Sequence, residues 1–350
     1  MKGFWWKILG VIIFLYVLIG GMTVPIKSGI TAVSPGNANS GEKLELKVIG
    51  YNTNFMKALE NRAWLKLDSI HAIKAYKFEV IDNGTCNISF NIPQSFPSDN
   101  MVFPMTLILD NELDGAFVQP NAVFVTKSDS TPFNQSEWTN GEMNNFHQAL
   151  GLKFPYRNIL NETIRNTFFH VALWFAMFIL LIIGLYHAIQ YLRTGLHDHD
   201  ILSASYNRIA IMYGVFGLIT GSIWAKFTWN TFWTTDVKLN MTAVAMLIYL
   251  AYLVLMGSST DYDRRAKLSA SYSIFAFAAL IPLVFVIPRL TDSLHPGNGG
   301  NPALGGEDLD HTLRLFFYPS IIALILLGLW MSQLLSRYER LKEKVFLTNQ

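Results

Sequence analysis

The chain has 350 residues, of which 51% are apolar and only 15% are charged, and this low charge content is typical of a membrane protein. The formal net charge of +2 gives no reason to expect nucleic acid as a partner. The single cysteine, Cys86, excludes an intrachain disulfide, a CxxC redox centre and a cysteine-rich metal site.

Six apolar runs are long enough to cross a bilayer, which takes about 20 helical residues. None of them carries an acidic or basic side chain in its middle. The predicted spans are residues 8–24, the run between Arg165 and Arg193, 209–225, 239–260, 268–288, and the run between Arg314 and Arg337.

Basic residues set the expected orientation, because lysine and arginine collect on the cytoplasmic loops of membrane proteins. An N-terminus in the cytoplasm leaves only four of them in the short outer loops: Lys226, Lys238, Arg289 and Arg314. We therefore predict a multi-pass protein of the bacterial cytoplasmic membrane with both termini in the cytoplasm. The first run also resembles a signal peptide, but no A-x-A site follows it, so an uncleaved span is favoured.

Residues 28–127 have a different pattern. Apolar and polar residues alternate in 43–50 and in 85–93, and a period of two predicts half-buried strands. Further strands are predicted at 63–67, 72–81, 105–109 and 122–126. So many short strands in about 100 residues predict an immunoglobulin-like β-sandwich, with Cys86 on its buried face. The opening of the region, ITAVSPGNANSGEKLELKVIGYN, loosely resembles immunoglobulin-like IPT/TIG domains.

The predicted fold class is an α-helical integral membrane protein with six transmembrane helices and an inserted extracytoplasmic β-sandwich. In chain order, 1–27 is the first transmembrane helix and 28–127 is the β-domain. Residues 128–165 are predicted to be a linker from their Ser, Thr, Asn and Pro content. Residues 166–350 form the five-helix membrane domain.

An aromatic segment, IWAKFTWNTFWTTDVKLN (223–240), lies on the predicted outer side. If 226–238 is a helix, its aromatic and acidic side chains repeat at i, i+3, i+4 and i+7, which is one face. The residues on that face are Trp229, Phe232, Trp233 and Asp236. Such a helix would lie flat at the membrane surface. The stripe is either an interfacial aromatic belt or a stacking platform for a large flat ligand.

Two histidines lie on the same predicted side as this segment. His170 begins the second span, and His295 lies in the outer loop after the fifth span. Two imidazoles can ligate one haem iron from opposite faces. We therefore predict a haem site with His170 and His295 as axial ligands, although a single histidine near a membrane edge is more often an ordinary interfacial residue.

The segment GSIWAKFTWNTFWTTDVKLN (221–240) resembles the tryptophan-rich WWD signature of the haem-handling CcmC/CcsA family of cytochrome c assembly, which reads roughly W-G-x-W-W-x-W-D. Three residues match this signature: Trp229, Trp233 and Asp236. Three others depart from it: Asn230 replaces the glycine, and Phe232 and Thr235 replace tryptophans.

The resemblance extends over about residues 163–335, includes the order of the spans and is nearest to the CcmC branch. In the family, one histidine precedes the signature and one follows it, each at the outer end of a span. His170 and His295 occupy those places. The β-domain is an addition, because the family usually has only a short loop after its first span.

The resemblance implies a cytochrome c maturation factor, not an enzyme, that binds haem b transiently and non-covalently at the outer face of the membrane. The implied partners are a periplasmic haem chaperone or apocytochrome c, other cytochrome c maturation membrane subunits and an ABC ATPase. The residues implied to flank the ring are Trp224, Trp229, Phe232 and Trp233. Asp236 either caps the surface helix or positions a group near the haem edge.

Two other functions stay open. One is a membrane b-type cytochrome that passes electrons, although the inner half of the spans lacks a second convincing histidine pair. The other is a transporter. Ion-coupled carriers tend to carry ionisable groups near the bilayer midplane, which these spans lack, but transport of haem itself is compatible with the sequence.

Other histidines are weaker candidates. The run HDHD (197–200) lies in a predicted cytoplasmic loop and has only two imidazoles, so it is more typical of a polar loop than of a metal site. His187 is predicted near the cytoplasmic end of the second span. His311, near the outer end of the last span, is the alternative axial ligand.

Overall fold

The computed structural model describes residues 3–127, 132–138, 143, 145–258, 261–295 and 309–348. The chain divides into two compact units. A helical unit comprises Met1–Thr23 and Glu162–Gln350, and a β unit comprises Val24–Asn161. The β unit is therefore an insertion in the chain after the first helix.

The helical unit contains six helices that are long and apolar enough to cross a membrane, and this confirms the six predicted spans. In chain order they are α1 (Trp5–Thr23), α2 (His170–Thr194), α3 (His197–Trp229), α4 (Val237–Met256), α5 (Tyr262–Ile281) and α6 (His311–Thr348). A 3₁₀ helix, Asn161–Phe168, leads into α2.

Two helices are much longer than their predicted spans. α3 has 33 residues and α6 has 38, so they are roughly 50 and 57 Å long against a hydrocarbon core of about 30 Å. Their polar ends pack together at the same end of the bundle, where Arg340 bonds Asp198 at 2.7 Å and Arg208 bonds Glu339 at 2.5 Å. Hydropathy alone missed these extensions because they are stabilised by charge pairs.

The regular helix of the fifth span ends earlier than the predicted span, which extends to residue 288. α5 stops at Ile281, and Pro282 follows it. Proline cannot donate a backbone hydrogen bond, and the chain continues as a π-helical turn, Pro282–Val286, and a 3₁₀ turn, Ile287–Arg289. These turns lead into the segment that carries His295.

The β unit contains nine described strands in two sheets. They are β1 (Gly29–Ser34), β2 (Asn37–Asn39), β3 (Lys43–Tyr51), β4 (Arg62–Lys66), β5 (Ala72–Lys74), β6 (Lys77–Val80), β7 (Thr85–Asn91), β8 (Val102–Asn111) and β9 (Gly115–Thr126). One sheet has the order β1-β3-β7-β6, and the other has the order β2-β9-β8-β4-β5. Every predicted strand is present, but the predicted strand 72–81 is two strands that belong to different sheets.

The inner faces of the two sheets share one apolar core, as expected of a sandwich. β3 pairs antiparallel with β7 so that Leu46 faces Ile88 and Val48 faces Cys86. Leu65 and Leu107 contribute from the opposite sheet. Burial raises the pKa of the Cys86 thiol to about 12, so this thiol is a core residue rather than a reactive one.

The described parts of the predicted linker pack on the sandwich instead of forming a free connection. Trp138 is buried in the core and donates from Nε1 to the Ser95 carbonyl at 3.1 Å. The backbone nitrogen of Ala116 donates to the His147 carbonyl at 2.9 Å. The β unit accordingly extends to Asn161, about 30 residues beyond the predicted strands.

Candidate functional site

His170 is fixed at the start of α2 by the backbone of α3. Its Nδ1 lies 3.0 Å from the Gly217 carbonyl oxygen and 3.2 Å from the Thr220 hydroxyl. Because a carbonyl oxygen can only accept, Nδ1 carries the proton, and Nε2 of the neutral ring keeps its lone pair. Among the described residues, no group hydrogen-bonds to this Nε2.

Two indole rings contact His170 edge-on. The centroid of Trp224 lies 5.7 Å from the imidazole at 85°, and that of Trp174 lies 6.2 Å away at 81°. The Trp224 Nε1 donates to the Thr163 hydroxyl at 3.1 Å, which fixes the plane of its ring. Trp174 was not among the predicted site residues, although its position one helical turn after His170 is a usable signal.

Glycines allow α3 to approach these rings closely. A Cβ at Gly221 would lie 2.6 Å from Cε1 of His170, and a Cβ at Gly217 would lie 2.7 Å from Cε2 of Trp174. These two residues form a Gly-x-x-x-Gly pattern, which is common where membrane helices pack tightly. Neither glycine was among the predicted site residues.

His295 is held by Asp236, in the turn before α4. Its Nδ1 lies 3.1 Å from Asp236 Oδ1, and the ring of Trp229 lies 5.1 Å away at 70°. An ionised carboxylate is an acceptor only, so Nδ1 again carries the proton and Nε2 keeps its lone pair. Burial lowers the pKa of His295 below its ordinary value, although Asp236 opposes this shift.

Asp236 caps a helix, but this helix is α4 and not the predicted surface helix. It is the N-cap of α4 and accepts from the backbone nitrogens of Lys238 at 3.0 Å and Leu239 at 3.3 Å. Its Oδ2 accepts from the Leu294 nitrogen at 2.7 Å. Burial opposes its ionisation, but these hydrogen bonds and His295 outweigh that cost and hold the pKa of Asp236 below its usual value.

The two histidines belong to the same end of the helical unit. His170 begins α2, Trp229 ends α3, and Asp236 precedes α4, so successive helix ends meet there. The arrangement offers two neutral imidazole nitrogens next to indole rings, which is a donor set that fits haem iron.

The predicted surface helix over 226–238 is wrong. α3 ends at Trp229, and Asn230 takes a left-handed conformation with φ of 60°, which closes the helix. Residues 231–236 form a loop that returns to α3, where the Ser222 hydroxyl donates to the Phe232 carbonyl at 2.8 Å. The helical spacing used for the prediction therefore does not apply after Trp229.

The loop separates the predicted aromatic platform into two parts. Phe232 and Trp233 line a groove of about 410 Å³ whose other lining residues are Leu218, Ile219, Ser222 and Ile223. At 100° per residue, those α3 positions lie opposite the face that carries Gly217 and Gly221. Trp224 and Trp229 contact the histidines, whereas Phe232 and Trp233 lie at the groove.

Three basic residues of the predicted outer loops, Lys226, Lys238 and Arg289, differ in their contacts and exposure. The ammonium of Lys226 bonds the Asn230 carbonyl at 3.0 Å and lies 5.7 Å from the Phe232 ring centroid. Arg289 ends the 3₁₀ turn after α5 and is exposed. Lys238 is half-buried in the first turn of α4.

The remaining histidines lie elsewhere. HDHD is the first turn of α3, where His197 bonds Glu343 at 2.5 Å and His199 bonds His187 through their Nδ1 atoms at 2.9 Å. Within the described ranges, no group of three or more metal-binding side chains is present. His311 is exposed at the start of α6, and no contact joins it to His170 or His295 in the part of the chain that the structure describes.

Comparison with known proteins identifies relatives of the helical unit. Residues 148–347 match the model of the family CcmC, described as Heme exporter protein C. A protein of that name from Bradyrhizobium diazoefficiens is 26% identical over 191 residues, which are 52% of this chain and 69% of that protein. The protein of the same name from Haemophilus influenzae is 24% identical over 135 residues, 39% of this chain and 54% of its own length.

A second group of relatives carries another name. The cytochrome c biogenesis protein CcsA of Prochlorococcus marinus is 35% identical over 81 residues, which are 23% of this chain and 26% of that protein. The chain thus spans only part of each of these relatives, and the matched family region begins after the nine strands of the β unit.

Proposed function

The chain belongs to the CcmC family of heme exporter proteins C, and we propose that it binds haem at the outer face of the cytoplasmic membrane and passes it to a periplasmic haem chaperone or apocytochrome c. The family is one of haem handling for cytochrome c maturation, and the protein is a multi-pass membrane protein. The proposed activity is transfer by ligand exchange, without cleavage of a covalent bond in the haem, so the protein is not an enzyme.

One observation carries this proposal: two imidazoles at one end of the bundle each have Nδ1 engaged as a donor, and Nε2 of each has no hydrogen-bond partner among the described residues. Haem iron accepts two such nitrogens as axial ligands. Because each Nδ1 partner fixes the tautomer and the plane of its ring, the protein presents His170 and His295 as ready ligands. Trp224 contacts the imidazole of His170, and Trp229 contacts that of His295.

The outer orientation rests on the distribution of basic residues. The end of the bundle opposite the two histidines carries Arg193, Arg264, Arg337 and Arg340 near the helix ends. Since basic residues favour the cytoplasmic side, the histidine end faces the periplasm. Lys238 and Arg289 are then the cations best placed to meet the haem propionates, because they belong to the same end as Asp236 and His295.

Other subunits of cytochrome c maturation complete the proposed transfer. The sequence has no P-loop, so ATP hydrolysis would come from a separate ABC ATPase. The nine described strands of the β unit lie outside the region that matches the family and are available for contact with a protein specific to this system.

The test is an absorption spectrum of the purified full-length protein in detergent, with and without dithionite. We expect wild type to show a six-coordinate haem spectrum and the double variant His170→Ala with His295→Ala to lose it. The matched control is His187→Ala with His199→Ala, which removes two histidines from the opposite end and should leave the spectrum unchanged. An unaltered Soret band in the first double variant would refute the proposed ligation.

A further inference from the structure

We propose that Asp236 is a positioning residue that orients His295 and makes it a stronger electron donor than His170. This inference rests on the proposed function, because it concerns the same two imidazoles. It assigns Asp236 to His295 rather than to the haem edge.

The contacts of Asp236 tie three pieces of structure together. Its carboxylate accepts from Nδ1 of His295, from the backbone nitrogen of Leu294 and from the first turn of α4. Its side chain is 1% exposed, whereas that of His295 is 24% exposed. The segment before His295 is therefore fixed to α4 by a buried anion.

The partner of His170 is chemically different. Its Nδ1 faces a neutral carbonyl, that of Gly217, and the Thr220 hydroxyl beside it already donates to the Phe216 carbonyl at 2.8 Å. A carboxylate that accepts from Nδ1 increases the electron density at Nε2 more than a neutral carbonyl does. The two ligands are consequently unequal, and an electron-rich ligand favours ferric over ferrous iron.

His170 and His295 are also held in position by different contacts. His170 is part of α2 and packs against Gly221, so its ring position follows from helix packing. His295 lies outside any helix or strand, and in the part of the chain that the structure describes its side chain hydrogen-bonds to Asp236 alone. Removal of Asp236 therefore affects only one of the two ligands.

The experiment compares Asp236→Asn and Asp236→Ala in the full-length protein loaded with haem. Asparagine still caps a helix and its oxygen still accepts from Nδ1, but the charge is gone. Alanine removes the cap and the acceptor. The matched control is Asp261→Asn, because Asp261 is the N-cap of α5 and accepts from the Arg264 nitrogen.

We expect Asp236→Asn to keep a six-coordinate spectrum, to shift the reduction potential to a more positive value, and to weaken ferric haem binding roughly 10- to 100-fold. Asp236→Ala should lose the six-coordinate spectrum, and exogenous imidazole should restore it. Asp261→Asn should match wild type in potential and affinity.

An unchanged potential and affinity in Asp236→Asn would overturn the inference, since a role limited to helix capping predicts that result. Failure of the proposed function is distinguishable, because wild type itself would then lack a spectrum that depends on His170 and His295.

Discussion

The two ends of the helical unit each contain a pair of histidines, but the pairs are arranged in opposite ways. At one end, His170 and His295 use Nδ1 to bond a carbonyl and a carboxylate. At the other end, His187 and His199 bond each other through Nδ1 at 2.9 Å. Two metal–imidazole bonds in line would need about 4 Å between the nitrogens, so these facing atoms cannot share an iron.

The two ends therefore differ in the partners of the ring nitrogens and not in the number of histidines: Nδ1 of His170 and of His295 bonds a separate acceptor, whereas His187 and His199 bond each other. His197 is bonded to Glu343, and His187 stacks on Tyr206 with a 9° interplanar angle. The second end therefore holds the α2–α3 turn and α6 together.

The largest effect in this comparison should come from the glycines of the α2–α3 interface. Gly221→Ala places Cβ 2.6 Å from the His170 ring, and Gly184→Ala places one 2.6 Å from Oδ1 of Asn207, nearer the other end. Each should destabilise the protein by about 1–3 kcal/mol, because both overpack a tight interface. Thermal unfolding in detergent measures this cost.

Only Gly221→Ala should also weaken haem binding, because its Cβ displaces one of the two ligands. We expect the affinity for haem to fall by about tenfold or more. Haem titration followed by the Soret band checks this expectation. Equal loss of haem from both variants would show that the two ends are not functionally distinct.

A smaller effect is expected from the hydrogen bond that orients Trp224. Trp224→Phe removes the donor to Thr163, and Thr163→Val removes the acceptor. Each should cost about 0.5–1.5 kcal/mol of stability, and the double variant should cost little more than either single variant. Additive losses in this double-mutant cycle would contradict the role of this bond in holding the ring beside His170.

The smallest expected effect is a pH dependence from His295. Its pKa is lowered in the folded protein, so the unfolded chain binds the proton more readily. The contribution of neutral His295 to the free energy of unfolding is fully present above the ordinary histidine pKa of about 6.5, and it decreases as the pH falls below that value.

Melting temperatures of wild type and His295→Gln between about pH 7.5 and 5.5 test this prediction. Wild type should lose more stability than the variant on acidification. A larger loss of stability in the variant on acidification would mean that the pKa of His295 is raised rather than lowered by folding, and would contradict the burial of a neutral ring. Asp236 does not titrate in this range, because its pKa is held below its ordinary value.

Much of the fold follows from periodicity and hydropathy. The alternation in 43–50 and 85–93 predicts β3 and β7, since Leu44, Leu46 and Val48 in β3 and the apolar residues from Cys86 to Phe90 in β7 are buried. The short strand β2 escapes prediction, because three residues cannot show a period. β1 was not predicted either. It forms with an irregular register against β3.

The site could be predicted only in part. The histidines were found from their positions at span ends and the tryptophans from the aromatic segment 223–240, but the path of the loop depends on Asn230 in the left-handed region and on Asp236 as an N-cap. Both are recognisable local signals of a helix end and a helix start. They were overlooked because the i, i+3, i+4 and i+7 spacing of the aromatic residues suggested a continuous helix. The pairing of Asp236 with His295 joins residues 59 positions apart, which no local pattern in the sequence reveals.

The most direct measurement is a structure of the haem-loaded protein in a lipid bilayer mimic, with the iron position located. The proposed function predicts iron between the Nε2 atoms of His170 and His295, with Trp224 and Trp229 near the porphyrin. Iron bound at the end that carries His187 and His199, or bound by His311 in place of either ligand, would contradict it.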